Sequence, residues 1–234
     1  MVLSERLKMN VSLVEEGAGV ADIGCDHGYA SIYLAEKKGC RCIATDVREG
    51  PLNMARDNIF RAGMEKQIQC RLCDGLGGLK PGEVDTLLLG GMGGMLICDI
   101  LSACLEVTDA AETLILQPQS DCQEVRRRLH GLGFRIDEEL CCEDRGKFYL
   151  ALRAKKGYEK VPYSEREYQF GRILAVKRDV CYRKYLMLEE EKQRQILEKL
   201  QKKRTENMTA RIQDLLHKMK GIQKTLAQYD KEGR

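Results

Sequence analysis

The chain has 234 residues, a formal net charge of +3 and 11 cysteines. No run approaches the roughly 18 apolar residues of a membrane span, and the start, "MVLSERLKMN", lacks the apolar stretch of a secretory signal, so a soluble cytoplasmic protein is expected. An odd cysteine count, with most cysteines in apolar runs such as "CRCIATDV" and "LICDILSACL", argues against a disulfide framework and for reduced core residues. The Cys70–Cys73 pair has no second close pair to complete a zinc set, and no metal is expected.

The length accommodates one α/β domain and a smaller appendage. Charge divides the same way: 17 basic and 24 acidic residues up to position 150, 22 and 12 after it, a balance of −7 and +10. The second part is suited to a polyanion. The domains are expected at 1–157 and 158–234.

In chain order, short apolar runs near 19–24, 41–47, 68–73, 84–90, 113–117, 134–140 and 147–154 read as strands, with amphipathic helical patterns between most of them. That alternation predicts a Rossmann-like α/β parallel sheet. Only "CCEDRGK" separates the last two strands, too short for a crossover helix, so they are expected to form a C-terminal antiparallel hairpin. From about residue 163 Pro is absent, Gly nearly so, and Lys, Glu, Gln and Leu dominate, which predicts long helices. From Met208 the apolar positions Ile212, Leu215, Met219, Ile222, Leu226 and Tyr229 follow in alternating steps of 4 and 3, a coiled-coil seam. Leu186, Leu197 and Leu200 fall in another phase, which predicts a break near "KKRTENMT" and two helices folded back on each other.

The first strand ends in "VADIGCDHGY". Open α/β sheets bind ligands at such strand ends, where glycine lets backbone approach a ligand and the next helix presents its N-terminus. Asp22, Gly24, Asp26 and Gly28 are expected to line that site, with His27 beside them. The spacing is not the G-x-G-x-x-G of a dinucleotide fold, and the carboxylates would repel a pyrophosphate. That disfavours an NAD-dependent oxidoreductase. A cationic ligand without phosphate fits, and S-adenosylmethionine has an ammonium and a sulfonium. Asp46 ends the second strand about 20 residues on, placed for ribose hydroxyls, and Asp74, followed by Gly75, closes the third, placed for an adenine amine.

The fourth strand, "VDTLLLGGMGGMLI", ends in glycines. Methyltransferases acting on exocyclic amines usually carry Asn or Asp there, then Pro-Pro and an aromatic, to localise the amine lone pair. That motif is absent. A ring nitrogen such as adenine N1 has a free in-plane lone pair and needs orientation more than a base. The loop from Gly90 and Gly91 to Gly94 is expected to admit a flat base, with Met92 as an apolar contact.

Together "DIGCDHGY", Asp46 followed by "REGP", "CDGL", "GGMGG", "LILQP", an early "LSERL" and a helical tail resemble the bacterial tRNA (adenine-22, N1)-methyltransferase family over nearly the whole chain. The resemblance implies a class I methyltransferase fold, S-adenosylmethionine as donor and N1 of an adenine in the tRNA D-arm as target. This chain has Gly28 and Ala30-Ser31 where the family shows Ala and Leu-Pro, Gln119 where it shows Asn, Asp46 where Glu is common, and Arg172 where it shows Pro. On these positions Tyr29 is expected to stack on the extruded adenine, Gln117 or Gln119 to hold its edge, Asp26 to offset the cationic product, and the basic tail, including Lys202-Lys203-Arg204, to grip tRNA phosphates. A monomer is expected. The competing readings are methylation of another RNA nucleobase and a catalytically silent tRNA-binding protein; intact acids at three strand ends argue against silence.

Overall fold

A computed structural model describes residues 2–202 and 209–230, which form two compact units divided between Pro162 and Tyr163. The first unit starts with helix α1 (Glu5–Ser12), N-capped by the Ser4 hydroxyl, which accepts from Leu7 N–H. Strands β1 (Gly19–Ile23), β2 (Arg41–Asp46), β3 (Ile68–Leu72), β4 (Thr86–Met92) and β5 (Thr113–Pro118) pair in parallel in the order β3-β2-β1-β4-β5. Helices α2 (Tyr29–Lys38) and α3 (Glu49–Ala62) follow β1 and β2, α4 (Gly94–Ala103) and α5 (Leu105–Ala110) link β4 to β5, α6 (Cys122–Gly131) follows β5, and turns alone link β3 to β4. Every residue of β5 is buried, as expected of a parallel strand covered on both faces.

Strands β6 (Phe134–Asp144) and β7 (Lys147–Lys156) pair antiparallel, and β7 inserts between β5 and β6. Most of the expected connection "CCEDRGK" is strand. Only Arg145 and Gly146 turn, both at positive φ (51° and 75°), the backbone of a two-residue type I′ turn whose twist matches the flanking strands. The mixed polarity of that stretch hid its extended backbone, because its side chains are only half-buried or exposed. Arg126 from α6 and Glu139 from β6 form a 2.9 Å ion pair with both side chains at 0% exposure. Four of the eleven free cysteines are buried and seven half-buried, fewer in the core than their apolar settings suggested. Among the described residues no helix is long and apolar enough to cross a membrane.

The second unit contains α7 (Glu165–Phe170), started by a Ser164–Glu167 capping box, α8 (Ile173–Lys177), α9 (Val180–Lys202) and α10 (Thr209–Asp230). Helices α9 and α10 lie against each other: Lys218 Nζ sits 3.7 Å from Glu189, and Gln223 donates to Glu190 at 2.7 Å. Leu186, Leu215 and Ile222 are buried there, with Ile212, Met219, Leu226 and Tyr229 half-buried. The Tyr182 hydroxyl donates to Phe170 O, and Tyr229 Oη donates to Leu174 O at 3.1 Å. Gly221 allows this packing, since a Cβ on it would lie 2.5 Å from the Phe170 ring. Met208, Lys203 and Arg204 lie outside the described residues, as does the Lys202 side chain.

Candidate active site

The C-terminal ends of β1 to β4 surround a cavity of about 500 Å³, within the range that holds a small-molecule cofactor. After β1 the chain turns through Gly24, Asp26 and Gly28, all at positive φ (71°, 52° and 73°). Cys25 N–H donates to Thr45 O, which ties this turn to the end of β2, and Gly28 N–H donates to Cys25 O. A Cβ on Gly24 would lie 3.2 Å from Met92 Cε, so glycine keeps backbone and thioether close. Gly28 does not line the cavity. It starts α2 against α3, where a Cβ would lie 3.1 Å from Ala55 Cβ, so glycine is required there for packing.

The acids hold different environments. Asp22 is 6% exposed. Burial pushes its carboxyl up to about 6, opposed by the Ser31 hydroxyl, which donates to Oδ2 at 2.7 Å. Asp46 is fixed by the loops on either side: Oδ2 accepts from Asp26 N–H at 3.3 Å and Oδ1 from Arg48 N–H at 2.9 Å. Asp74 and Gly75 line the third side, with Asp74 exposed. At the rim, Tyr29 is 39% exposed and stacks on the His27 ring at 5.6 Å between centroids, while His27 Nε2 lies 3.7 Å from Asp26 Oδ1.

Gly90, Gly91 and Met92 line the cavity as expected, but the room left by the glycines is taken. A Cβ on Gly90 would lie 2.7 Å from Asn10 Nδ2, one on Gly91 2.8 Å from Arg6 Nη1, and one on Gly94 2.4 Å from Ser120 O. The loop is glycine-rich so that α1 and the end of β5 can close on it. At this loop the cavity is therefore lined by Asn10 and Arg6 as well as by backbone.

Neither glutamine lines the cavity. Gln117 is fully buried, and its Oε1 accepts from Gly91 N–H at 3.0 Å and from Arg6 Nη1 at 3.1 Å. That oxygen braces the loop. Gln119 is exposed, with its backbone N–H donating to Met92 O at 2.9 Å. Sequence reasoning missed Arg6, Asn10 and Thr45, along with Leu96 and Ile100 from α4. The available signal for the first two was their i, i+4 spacing on one face of a helix.

The donor set suits S-adenosylmethionine. Carboxylates at successive strand ends match an ammonium and ribose hydroxyls, and the Gly24 turn leaves space that a side chain would fill. Over residues 20–224 the chain matches the family model described as tRNA (adenine(22)-N(1))-methyltransferase. It is 35% identical over 162 residues to the Bacillus subtilis tRNA (adenine(22)-N(1))-methyltransferase, covering 69% of this chain and 68% of that protein. A Streptococcus pneumoniae structure solved with S-adenosyl-L-methionine superposes with a TM-score of 0.86 at 32% identity, over 96% of this chain and 100% of that one. The crystal structure of the B. subtilis m1A22 tRNA methyltransferase superposes with a TM-score of 0.87 at 28% identity, over 96% and 99%. With a Rossmann-like sheet, acids at three strand ends and these relatives, the chain belongs to the tRNA (adenine(22)-N(1))-methyltransferase family.

Proposed function

We propose that this chain methylates N1 of adenine 22 in tRNA with S-adenosylmethionine as donor, and that its residues divide the work as follows. Asp22 faces the ammonium of the donor, Asp46 the ribose hydroxyls and Asp74 the adenine amine, with Gly24, Gly75, Gly90 and Gly91 allowing close approach. When bound, the donor supplies a methyl on a sulfonium, and sulfur keeps the electron pair as the N1 lone pair takes the methyl. Tyr29, at the rim, stacks on the extruded target base, and Met92 provides an apolar wall beside it. Asp26 offsets the positive charge of the product ring. No proton leaves N1 in the transfer, so orientation carries the rate and a general base is not required.

The helical unit from Tyr163 on supplies the basic surface for tRNA phosphates, including Lys202-Lys203-Arg204. Because α9 and α10 close on each other within one chain, we read the enzyme as a monomer. A tRNA substrate puts the activity in the cytoplasm, and no step of this reading calls on a metal.

The observation that carries the reading is the convergence of Asp22, Asp46 and Asp74 on one cavity beside Met92. Methyl transfer from labelled S-adenosylmethionine to unmodified tRNA transcripts tests it, with the modified position located by the reverse-transcription stop of N1-methyladenosine. A stop at adenine 22 is expected. Transfer to another nucleobase, or donor binding without transfer to any tRNA, overturns it.

A further inference from the structure

Asn10 is 2% exposed and lines the cavity, and its Oδ1 has no hydrogen-bond partner among the described residues. Buried polar atoms are nearly always paired, so an unpaired one beside a ligand cavity points to a missing ligand. Its position is specific. Asn10 Nδ2 lies 2.7 Å, and Cγ 3.8 Å, from where a Cβ on Gly90 would stand. The carboxamide of α1 thus occupies the space of the absent side chain at the end of β4. That is the place where methyltransferases acting on exocyclic amines usually carry their own Asn or Asp. The other buried amide at this loop, Gln117, has its oxygen engaged by Gly91 and Arg6.

We infer that Asn10 is the acceptor for the 6-amino group of the target adenine, supplied from α1 in place of the side chain that Gly90 lacks. This rests on the functional reading above. No partner locks Oδ1 in place, and the terminal torsion of an Asn is broad, so rotation about Cβ–Cγ can bring either end of the amide to the base. The 6-amino group adjoins N1, so one acceptor there sets the base's in-plane rotation and aims the N1 lone pair. It also acts on the rate. As N1 gains its methyl, positive charge spreads through C6 onto the 6-amino nitrogen, and its hydrogens become better donors. A bond to Asn10 Oδ1 is therefore stronger in the transition state than in the ground state, the condition for raising kcat and not only affinity. The acids expected to hold the donor lie on β1, on β2 and after β3, whereas Asn10 meets the β4 loop, which places it on the acceptor side.

The test uses full-length tRNA with adenosine or purine riboside, which lacks the 6-amino group, at position 22. Binding of both is measured to the wild type, Asn10→Ala and Asn10→Asp, each with S-adenosylhomocysteine bound, alongside donor affinity and thermal unfolding. The wild type is expected to prefer adenosine about tenfold, the worth of one buried hydrogen bond. Asn10→Ala is expected to lose that preference and at least tenfold in kcat, with donor affinity within about twofold. Asn10→Asp, isosteric and still an acceptor, is expected to keep the preference. An Asn10→Ala protein that still prefers adenosine, or whose donor affinity falls as much as its kcat, overturns the assignment. If Asn10→Ala fails to fold, Asn10→Asp decides, and loss of the preference there overturns it. A wild type that binds both tRNAs alike and leaves adenine 22 unmethylated overturns the functional reading itself.

Discussion

Ser31, in the first turns of α2, donates a 2.7 Å hydrogen bond to Asp22 at the end of β1, and both side chains are buried. Burial alone would keep a carboxyl neutral, and the hydroxyl partly restores the charged form, which leaves Asp22 at about 6 instead of 3.8. The folded state therefore holds this proton more tightly than the unfolded state. Its contribution to the stability of the ligand-free protein is full below about pH 4 and is lost as pH rises through 6. The loss is about 3 kcal/mol. A cationic ligand uses the ionised form, so affinity for S-adenosylmethionine is expected to fall towards tenfold per pH unit below 6. Calorimetric titration from pH 5 to 7.5 checks this, and Ser31→Ala is expected to move the transition to higher pH.

Asp46 receives N–H bonds from Asp26 and Arg48, so its carboxylate is aimed before any ligand arrives. Asp46→Asn keeps the shape and removes the charge. It is expected to weaken donor binding about 10- to 100-fold, the value of one or two charge-assisted hydrogen bonds, and, because an amide accepts only one of the two N–H bonds, to lower stability by about 1–3 kcal/mol. Unchanged donor affinity would remove Asp46 from the site.

The Arg126–Glu139 pair is expected to behave as buried ion pairs do. Arg126→Met leaves the Glu139 carboxylate buried without its guanidinium and should cost about 3–5 kcal/mol in denaturant unfolding. Arg126→Met with Glu139→Leu should recover most of that loss, because removing both charges also removes their desolvation cost.

Gly221 sits inside α10, where Ala would gain about 1 kcal/mol in helix propensity. Contact with the Phe170 ring reverses the sign. Gly221→Ala is expected to destabilise the protein by about 1–3 kcal/mol, and Gly221→Ala with Phe170→Leu to lose less than the sum of the two single changes.

Replacing Lys202, Lys203 and Arg204 together by Ala is expected to weaken binding to all tRNAs alike and to reduce the slope of log affinity against log salt by about 2–3. Donor affinity should not move. A salt slope equal to that of the wild type would take this cluster out of the tRNA contact.

Much of this molecule was legible in the sequence where the relevant property is local. Strands β1, β4 and β5 announce themselves as apolar runs because parallel strands are covered on both faces. The β6–β7 hairpin was harder, since its outer half is only half-buried or exposed and "CCEDRGK" reads as loop until the Arg145-Gly146 turn is seen. Residues assigned by resemblance fared differently by position. Tyr29 lines the cavity, whereas Gln117 faces the loop backbone, and Gln119, though exposed, has its Nε2 3.9 Å from where a Cβ on Gly91 would stand.

By itself, then, the chain's order of residues determined the α/β sheet, the helical tail and the acids at three strand ends. A strand end is set by neighbours in sequence, and a sheet of this topology brings consecutive strand ends to one side. Only the tertiary structure decided what fills the β4 side of the cavity. Arg6 and Asn10 reach Gly91 and Gly90 from about 80 residues away because α1 packs against β5, β7 and β6. The glycines that admit them say only that something comes close, and no spacing rule within the chain says what.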